Sequence, residues 1–368
     1  MKRFFFSALV CLTACQVPSR VAMDGAGGRT AYNTAIQTTN GQQMLLNLVR
    51  LRYVDIPFFL DVSGVTTQFT YKTLASATVP IPGFSEDNPF LFGGELLWQD
   101  QPTISYAPLE GQAFSERLLR PIDLHTIQQL VYSGWEIDRI FRIMIQNFDE
   151  LYNAPETSGP LPEHVPKYQL FNEAVDIFRY YQSRGELQLG IKFARHKTDD
   201  KEKDEDGKRE TSLQLAIPDD GPKAHRLLEL LPNAHRVGNR IGVSLDLGFN
   251  QSGRIGLMPR SILSCMYYLS QSVEVPDCHL ECGVVKKTSG EEGECFDWCS
   301  VLSQLLTVHC SFMPPKNAYI AVKYRKYWYY IDDCDLTSKK TFVLLLQLYN
   351  LHAEERKTVG PILTLPIG

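Results

Sequence analysis

Past Leu12 the chain has no apolar run approaching the ~18 residues that a membrane-spanning helix needs, so its body is expected in aqueous solution. It also lacks G-x-S-x-G, H-E-x-x-H, a P-loop and a dinucleotide fingerprint, which leaves the common hydrolase and nucleotide-binding classes without support. Positive charge is short. Lys and Arg number 37 against 42 Asp and Glu, a net charge of -5, and nucleic acid is not an expected partner. Cysteine is missing between Cys15 and Cys265, so any cross-link within the body belongs to the region from Cys265 to Cys334.

What is present is ordinary for a globular protein: 44% hydrophobic and 21% charged residues, which excludes a disordered chain. A length of 368 residues allows two lobes or one large α+β domain.

The start of the chain addresses location. Lys2 and Arg3 precede an apolar run over 4–12, and Leu12-Thr13-Ala14-Cys15 closes it with small residues, the layout of a secretory signal over 1–14. An ordinary signal cut after Ala14, or a frayed apolar start, are the plainer alternatives. The closing four residues resemble the lipobox of bacterial lipoproteins. That resemblance implies cleavage before Cys15, acylation of its sulfur and a lipid bilayer as partner, since several acyl chains anchor stably where one does not. Gln16 follows the cysteine rather than Asp, which by the same resemblance implies the outer membrane of a Gram-negative cell. Residues 15–28, with Pro18, Gly25, Gly27 and Gly28, read as a lipidated tether.

Periodicity organises the rest. Met44, Leu45, Leu48, Val49 and Leu51 predict a helix over 29–53, with a break at Gly41. Ile56, Phe58, Leu60 and Val62 alternate in one phase and Val65, Thr67, Phe69 and Tyr71 in the other, so the strand needs a bulge at Ser63-Gly64. Residues 78–94 read as a proline- and glycine-rich loop and 103–107 as a short strand. Helices follow at 114–119 and 124–131, and Ile137, Ile140, Phe141, Met144, Ile145 and Phe148 predict one amphipathic helix through Phe148, the second arm of an αα-hairpin. After a proline-rich connection over 155–166, Phe171, Val175, Phe178 and Tyr181 make another helix. Alternation at Leu187 to Phe193, Leu213 to Ile217 and Ile241 to Leu247 predicts three strands, the first two joined by a charged loop over 197–210. Residues 273–299 form a Cys-rich insertion. Two aromatic strands, a buried helix over 337–351 and an apolar strand over 359–367 complete the chain. The expected fold class is α+β, with a helical N-terminal half and mainly antiparallel sheet in the middle and C-terminal parts. Two lobes are drawn, 29–155 with mixed strand and helical hairpin, and 156–368.

Three groups are candidates for chemistry. Cys278, Cys282, Cys295 and Cys299 have the spacing C-x3-C-x12-C-x3-C, which fits disulfides in an oxidising compartment or, less well, four ligands for zinc. The cysteines from Cys265 to Cys334 are odd in number, which leaves a free or intermolecular thiol; nearby His279 and His309 read as surface residues. Asp332, Asp333 and Asp335 fit helix capping before they fit a hard cation or an acid-base pair. Tyr324, Tyr327, Trp328, Tyr329 and Tyr330 crowd one strand. Alternation turns some of them outward, and Tyr327, Trp328 and Tyr329 are the candidate partner-binding residues.

Residues 29–37 (RTAYNTAIQ), 43–52 and Pro57-Phe58-Phe59-Leu60, with Ser133-Gly134-Trp135, Asp138-Arg139 and 322–368, resemble a family of uncharacterised Gram-negative envelope lipoproteins. The resemblance covers about half the chain and implies a location without a known activity. The expectation is therefore a lipid-anchored, periplasm-facing outer-membrane protein with a non-enzymatic binding or structural role, partnered by another envelope protein or a glycan. No cofactor is expected. The alternatives are an envelope hydrolase or metal-dependent enzyme whose site is assembled from distant residues, and a structural protein cross-linked through its odd cysteine.

Overall fold

The computed structural model describes residues 29–77, 92–194, 210–247, 253–290 and 293–353. The signal, Cys15, the tether, residues 78–91 of the loop expected over 78–94, nearly all of the charged loop and the closing strand over 359–367 lie outside the described residues; residues 92–94 open a strand instead. Among the described residues helices and antiparallel-rich sheets both run through the chain, so the fold is α+β.

The chain divides into two compact units, one of residues 1–40, 59–109 and 355–368, the other of 41–58 and 110–354. The boundary drawn at 155 falls inside the second unit, because strands on either side of it pair in one sheet. In the first unit β1 (Phe59–Ala77) pairs antiparallel with β2 (Phe92–Leu109), from Phe59 opposite Leu109 to Ala77 opposite Phe92. The register shifts between Val62 and Gly64, where the alternation of apolar residues changes phase.

The second unit begins within helix α1 (Arg29–Arg52), which runs through Gly41 without a break. Gly41 answers to packing. A Cβ there would lie 2.6 Å from Cδ1 of Ile320, so a larger residue would have to displace that methyl. Helices α2 (Gln112–Leu119) and α3 (Leu124–Tyr132) follow; Asp123 caps α3 by accepting from Thr126 N at 2.6 Å. The helix ends at Gly134, φ 92, with Trp135 N donating to Leu130 O and Gly134 N to Val131 O, a Schellman closure that requires the left-handed residue.

Helix α4 (Ile137–Met144) stops four residues short of the periodic pattern, and residues Ile145–Phe148 form strand β3 instead. The reason is tertiary. Arg260, with no exposed surface, donates through Nη1 to the carbonyls of Arg142, Ile143 and Ile145. Its Nη2 donates to those of Asn153 and Ala154, and Asn153 Nδ2 donates to Arg142 O and Ile145 O. Side chains therefore satisfy the carbonyls that a further helical turn would have used. Released from the helix, β3 pairs with β9 (Ile255–Pro259) and β4 (Leu151–Tyr152).

A short 3-10 turn (Pro155–Ser158) and helix α5 (Gln169–Ser183) come next. Strands β5 (Gln188–Ala194), β6 (Glu210–Pro218), β7 (His235–Val237) and β8 (Arg240–Leu247) complete a seven-stranded sheet in the order β4-β3-β9-β8-β6-β5, with β7 pairing β8 and α6 (Gly221–Leu230) between β6 and β7. Only β8 and β9 run parallel among the described strands. Phe141, Phe148, Phe171 and Phe178 are fully buried, with Phe148 stacked on Phe171 at 4.8 Å. Each such ring contributes about 1.5 to 3 kcal/mol through burial.

After α7 (Ile262–Ser270) the Cys-rich stretch contains short helices α8 (Asp277–Glu281) and α9 (Cys299–Leu302). Trp298 anchors it by donating from Nε1 to Thr288 Oγ1, which donates in turn to Pro162 O. A second sheet has the order β10-β12-β11, from β10 (His309–Ser311), β11 (Ala318–Tyr324) and β12 (Tyr327–Asp332). Helix α10 (Leu336–Ala353) buries Phe342, Leu344, Leu345 and Leu348. Asp335 caps it, accepting from the N–H of Thr337 and Ser338 at 3.0 Å each, and from the Ser338 hydroxyl at 2.5 Å. Asp332 accepts from Cys334 N and Asp333 pairs with Lys339, so the three carboxylates serve local structure.

Candidate functional site

The functional groups converge where the C-terminal end of α1 meets the three-stranded sheet and the Cys-rich stretch. Asn47 is fully buried and brackets the backbone of Phe58, donating to its carbonyl at 2.8 Å and accepting from its N–H at 3.0 Å. That clamp folds the chain back at once after Tyr53. Val54 takes a left-handed conformation, φ 58, which a β-branched residue adopts only under strain. The turn leaves Arg52, Tyr53 and Asp55 aimed at three different neighbours.

Tyr53 is 4% exposed, and its hydroxyl meets that of Tyr329 at 2.6 Å and Nδ1 of His279 at 2.7 Å. Burial pushes both tyrosines up from their ordinary value. Burial also pushes the Cys310 thiol up to about 11, with Glu274 and Cys278 adding to the effect and a hydrogen bond with Tyr329 opposing it. Asp55 accepts from the hydroxyl of Tyr324 and pairs with Arg325 at 3.1 Å. Burial alone would raise this carboxyl; the bonds from Tyr324 and Arg325 outweigh it and hold it below the usual range. Arg325 stacks on Tyr53, 5.1 Å from its centroid.

Strand alternation places Tyr327, Tyr329 and Ile331 on one face of β12 and Trp328 and Tyr330 on the other. Of the candidate partner-binding residues, Tyr329 is fully buried and cannot meet a partner, because Tyr53 covers it. Tyr327 and Trp328 are half-buried. Tyr327 has the ring of Phe312 at 5.9 Å, that of His279 at 5.2 Å and the Cys278 sulfur at 3.4 Å from its hydroxyl. Phe312 and Met313, just beyond β10, are 73% and 72% exposed.

The four spaced cysteines are not gathered into one site. Cys278, Cys282, Cys295 and Cys299 are exposed free thiols, the first pair on and just after α8, Cys295 bridged to Ser289 and Cys299 opening α9. Among the described residues no group of three or more His, Cys, Asp or Glu is placed to hold a metal ion. His309 pairs with Glu274 at 2.9 Å, and the other Glu274 oxygen accepts from Cys310 N.

Beside this cluster lies a cavity of ≈ 180 Å³, lined by Arg52, Gln271, Glu274, Asp297 and Cys299 over an apolar floor that includes Leu306. Burial lowers the Arg52 guanidinium to about 10. Burial raises the Cys299 thiol, and a hydrogen bond with Asp297 adds to the rise. Sequence reasoning singled out none of Arg52, Tyr53, Gln271 or Glu274. The one available signal was Arg52-Tyr53 closing an apolar helix ahead of Asp55-Ile56-Pro57, where a cation and a phenol stand at a forced turn. No family model matches this chain, and no curated protein and no solved structure matches it.

Proposed function

We propose that the protein is anchored in the outer membrane through acylated Cys15, faces the periplasm, and binds a protein partner at the aromatic end of the three-stranded sheet without catalysing a reaction on it. The observation that carries the binding role is the exposure of Phe312 and Met313, 73% and 72%, beside the half-buried ring of Tyr327. Single exposed apolar residues are ordinary, but two adjacent ones continued by an aromatic ring form a patch of the kind that anchors an interface. An uncharged surface of phenyl and thioether groups suits apolar side chains better than glycan hydroxyls. The Cys310 thiol, behind the patch, argues in the same direction: it is pushed toward the protonated form, the opposite of an activated nucleophile. The lipobox-like start and the lipoprotein-like segments support the location.

Two measurements test this. Cys15→Ser should abolish labelling by an alkyne-bearing palmitate analogue and release the protein from the membrane fraction; retention there by the unlabelled variant would refute the anchor. Crosslinking in intact cells, with a photoreactive residue at Phe312, should capture a discrete protein that is lost in a Met313→Asp, Tyr327→Asp background with an unchanged melting temperature. The same adduct in that background would refute the interface.

A further inference from the structure

The geometry points to the Arg52 cavity as a binding site for a small zwitterion of the α-amino acid class, separate from the aromatic patch. Arg52 lines the cavity, and no hydrogen bond or ion pair from the described residues reaches its guanidinium; its Nε is buried and unpartnered. Gln271 lines the same space at 5% exposure, and its Oε1 is likewise buried without a partner. Both of these atoms are closed off from the cavity, so the donors that Arg52 offers a ligand are its terminal nitrogens, which make no bond among the described residues. A planar fork of donors fits a carboxylate, which it can hold through two parallel bonds.

The remaining lining defines the other end of the ligand. Asp297 and Glu274 bring negative charge to the cavity, and neither is paired with Arg52. Glu274 is already engaged by His309 and Cys310 N, while Asp297 accepts at Oδ1 from Cys299 N at 2.9 Å and keeps acceptor capacity for an ammonium. A simple anion would meet these carboxylates as a penalty, and a simple cation would meet Arg52. A molecule carrying both charges satisfies both ends. Val273, Leu302 and Leu306 supply an apolar wall for a short aliphatic side chain. At ≈ 180 Å³ the space lies below the ~300 Å³ at which drug-sized pockets begin, which suits a small ligand.

The test is calorimetric titration of the full chain with L-alanine, N-acetyl-L-alanine and ethylamine. Saturable binding of alanine is expected, with the acetylated and decarboxylated probes at least about 10-fold weaker, as each lacks one charge-assisted contact. Arg52→Met should abolish the binding while leaving the melting temperature equal or higher, because the half-buried guanidinium has no ion pair among the described residues to lose. Asp297→Asn, which keeps the volume and removes the charge offered to the ammonium, should weaken binding with the fold intact. No saturable heat at millimolar alanine would overturn the proposal, as would equal binding of all three probes. A melting temperature that falls in Arg52→Met without loss of binding would assign Arg52 a structural role instead.

Discussion

Arg260 lays its guanidinium over the ring of Tyr268, with Cζ 4.2 Å from the centroid, and neither side chain has any exposed surface. A cation at zero exposure survives only when dipoles replace its water. Here the ring face and the carbonyls of Arg142, Ile143, Ile145, Asn153 and Ala154 do so. The same contacts convert the end of α4 into β3, so a single side chain joins the helical layer to the seven-stranded sheet.

Replacing it should therefore be severe. Arg260→Met leaves those carbonyls buried and unpaired, and a loss of about 3 to 5 kcal/mol is expected in urea unfolding. Arg260→Lys should recover only part of it, because a single ammonium cannot reach acceptors on both sides. A Met variant within about 1 kcal/mol of the parent would show that the cradle contributes little.

Gly41 allows a test in which two effects oppose each other. In an exposed helix interior Gly41→Ala would stabilise by about 1 kcal/mol. With Ile320 Cδ1 2.6 Å from the new Cβ, destabilisation by about 1 to 3 kcal/mol is expected instead. Ile320→Val removes that carbon, and the double variant should be more stable than the two single losses sum to. Strict additivity would place the strain elsewhere.

The turn joining β11 to β12 holds Arg325 at φ 45 and Lys326 at φ 76, two left-handed residues in succession as a primed hairpin turn requires. Arg325 is compensated by Asp55 and by stacking on Tyr53. Lys326→Gly should raise stability by about 1 kcal/mol through relief of left-handed strain. A lower melting temperature in differential scanning fluorimetry would contradict this.

Asp335 carries a pH signature. Burial opposes its ionisation, but the Ser338 hydroxyl and the N–H groups of Ser338 and Thr337 outweigh that and hold its pKa below the ordinary 3.8. The folded state thus favours the carboxylate. Its stabilisation is complete above 3.8 and is lost as pH falls from there through the depressed value. Asp335→Ala should cost about 0.5 to 2 kcal/mol at neutral pH, and the gap to the parent should close in acid. A gap independent of pH would remove the charge from the explanation.

Thiol accessibility separates the cysteines. In the native protein Cys278, Cys282, Cys295, Cys299 and Cys334 should react with maleimide, with Cys310 slower. Cys265, buried and pushed up to about 12, should react only after denaturation. Protection of the spaced four, relieved by reductant, would instead reveal the disulfides that their spacing suggests.

Some of this was legible from the chain and some was not. Alternation found β5, β6 and β8, because a strand with one buried face writes its period into the sequence. The phase change after Val62 located the β1 bulge for the same reason. Asp335 was legible because capping is a contact within one helical turn. The helix from Ile137 was read too long: residues 145–148 satisfy a helical period as well as a strand, and only Arg260 and Asn153, distant in sequence, decide between them. Tyr329 was offered as a surface residue because alternation tells which side chains share a face, not which face is covered.

The sequence by itself determined most of the element types, the α+β class and the signal-like start, since periodicity, capping and turn chemistry act over a few residues. Tertiary structure alone decided that a helix would stop at Met144, that Gly41 would face the Ile320 side chain, and that Arg52 and Gln271 would share a cavity. Each of these depends on groups brought together by packing, and packing leaves no fixed spacing along the chain.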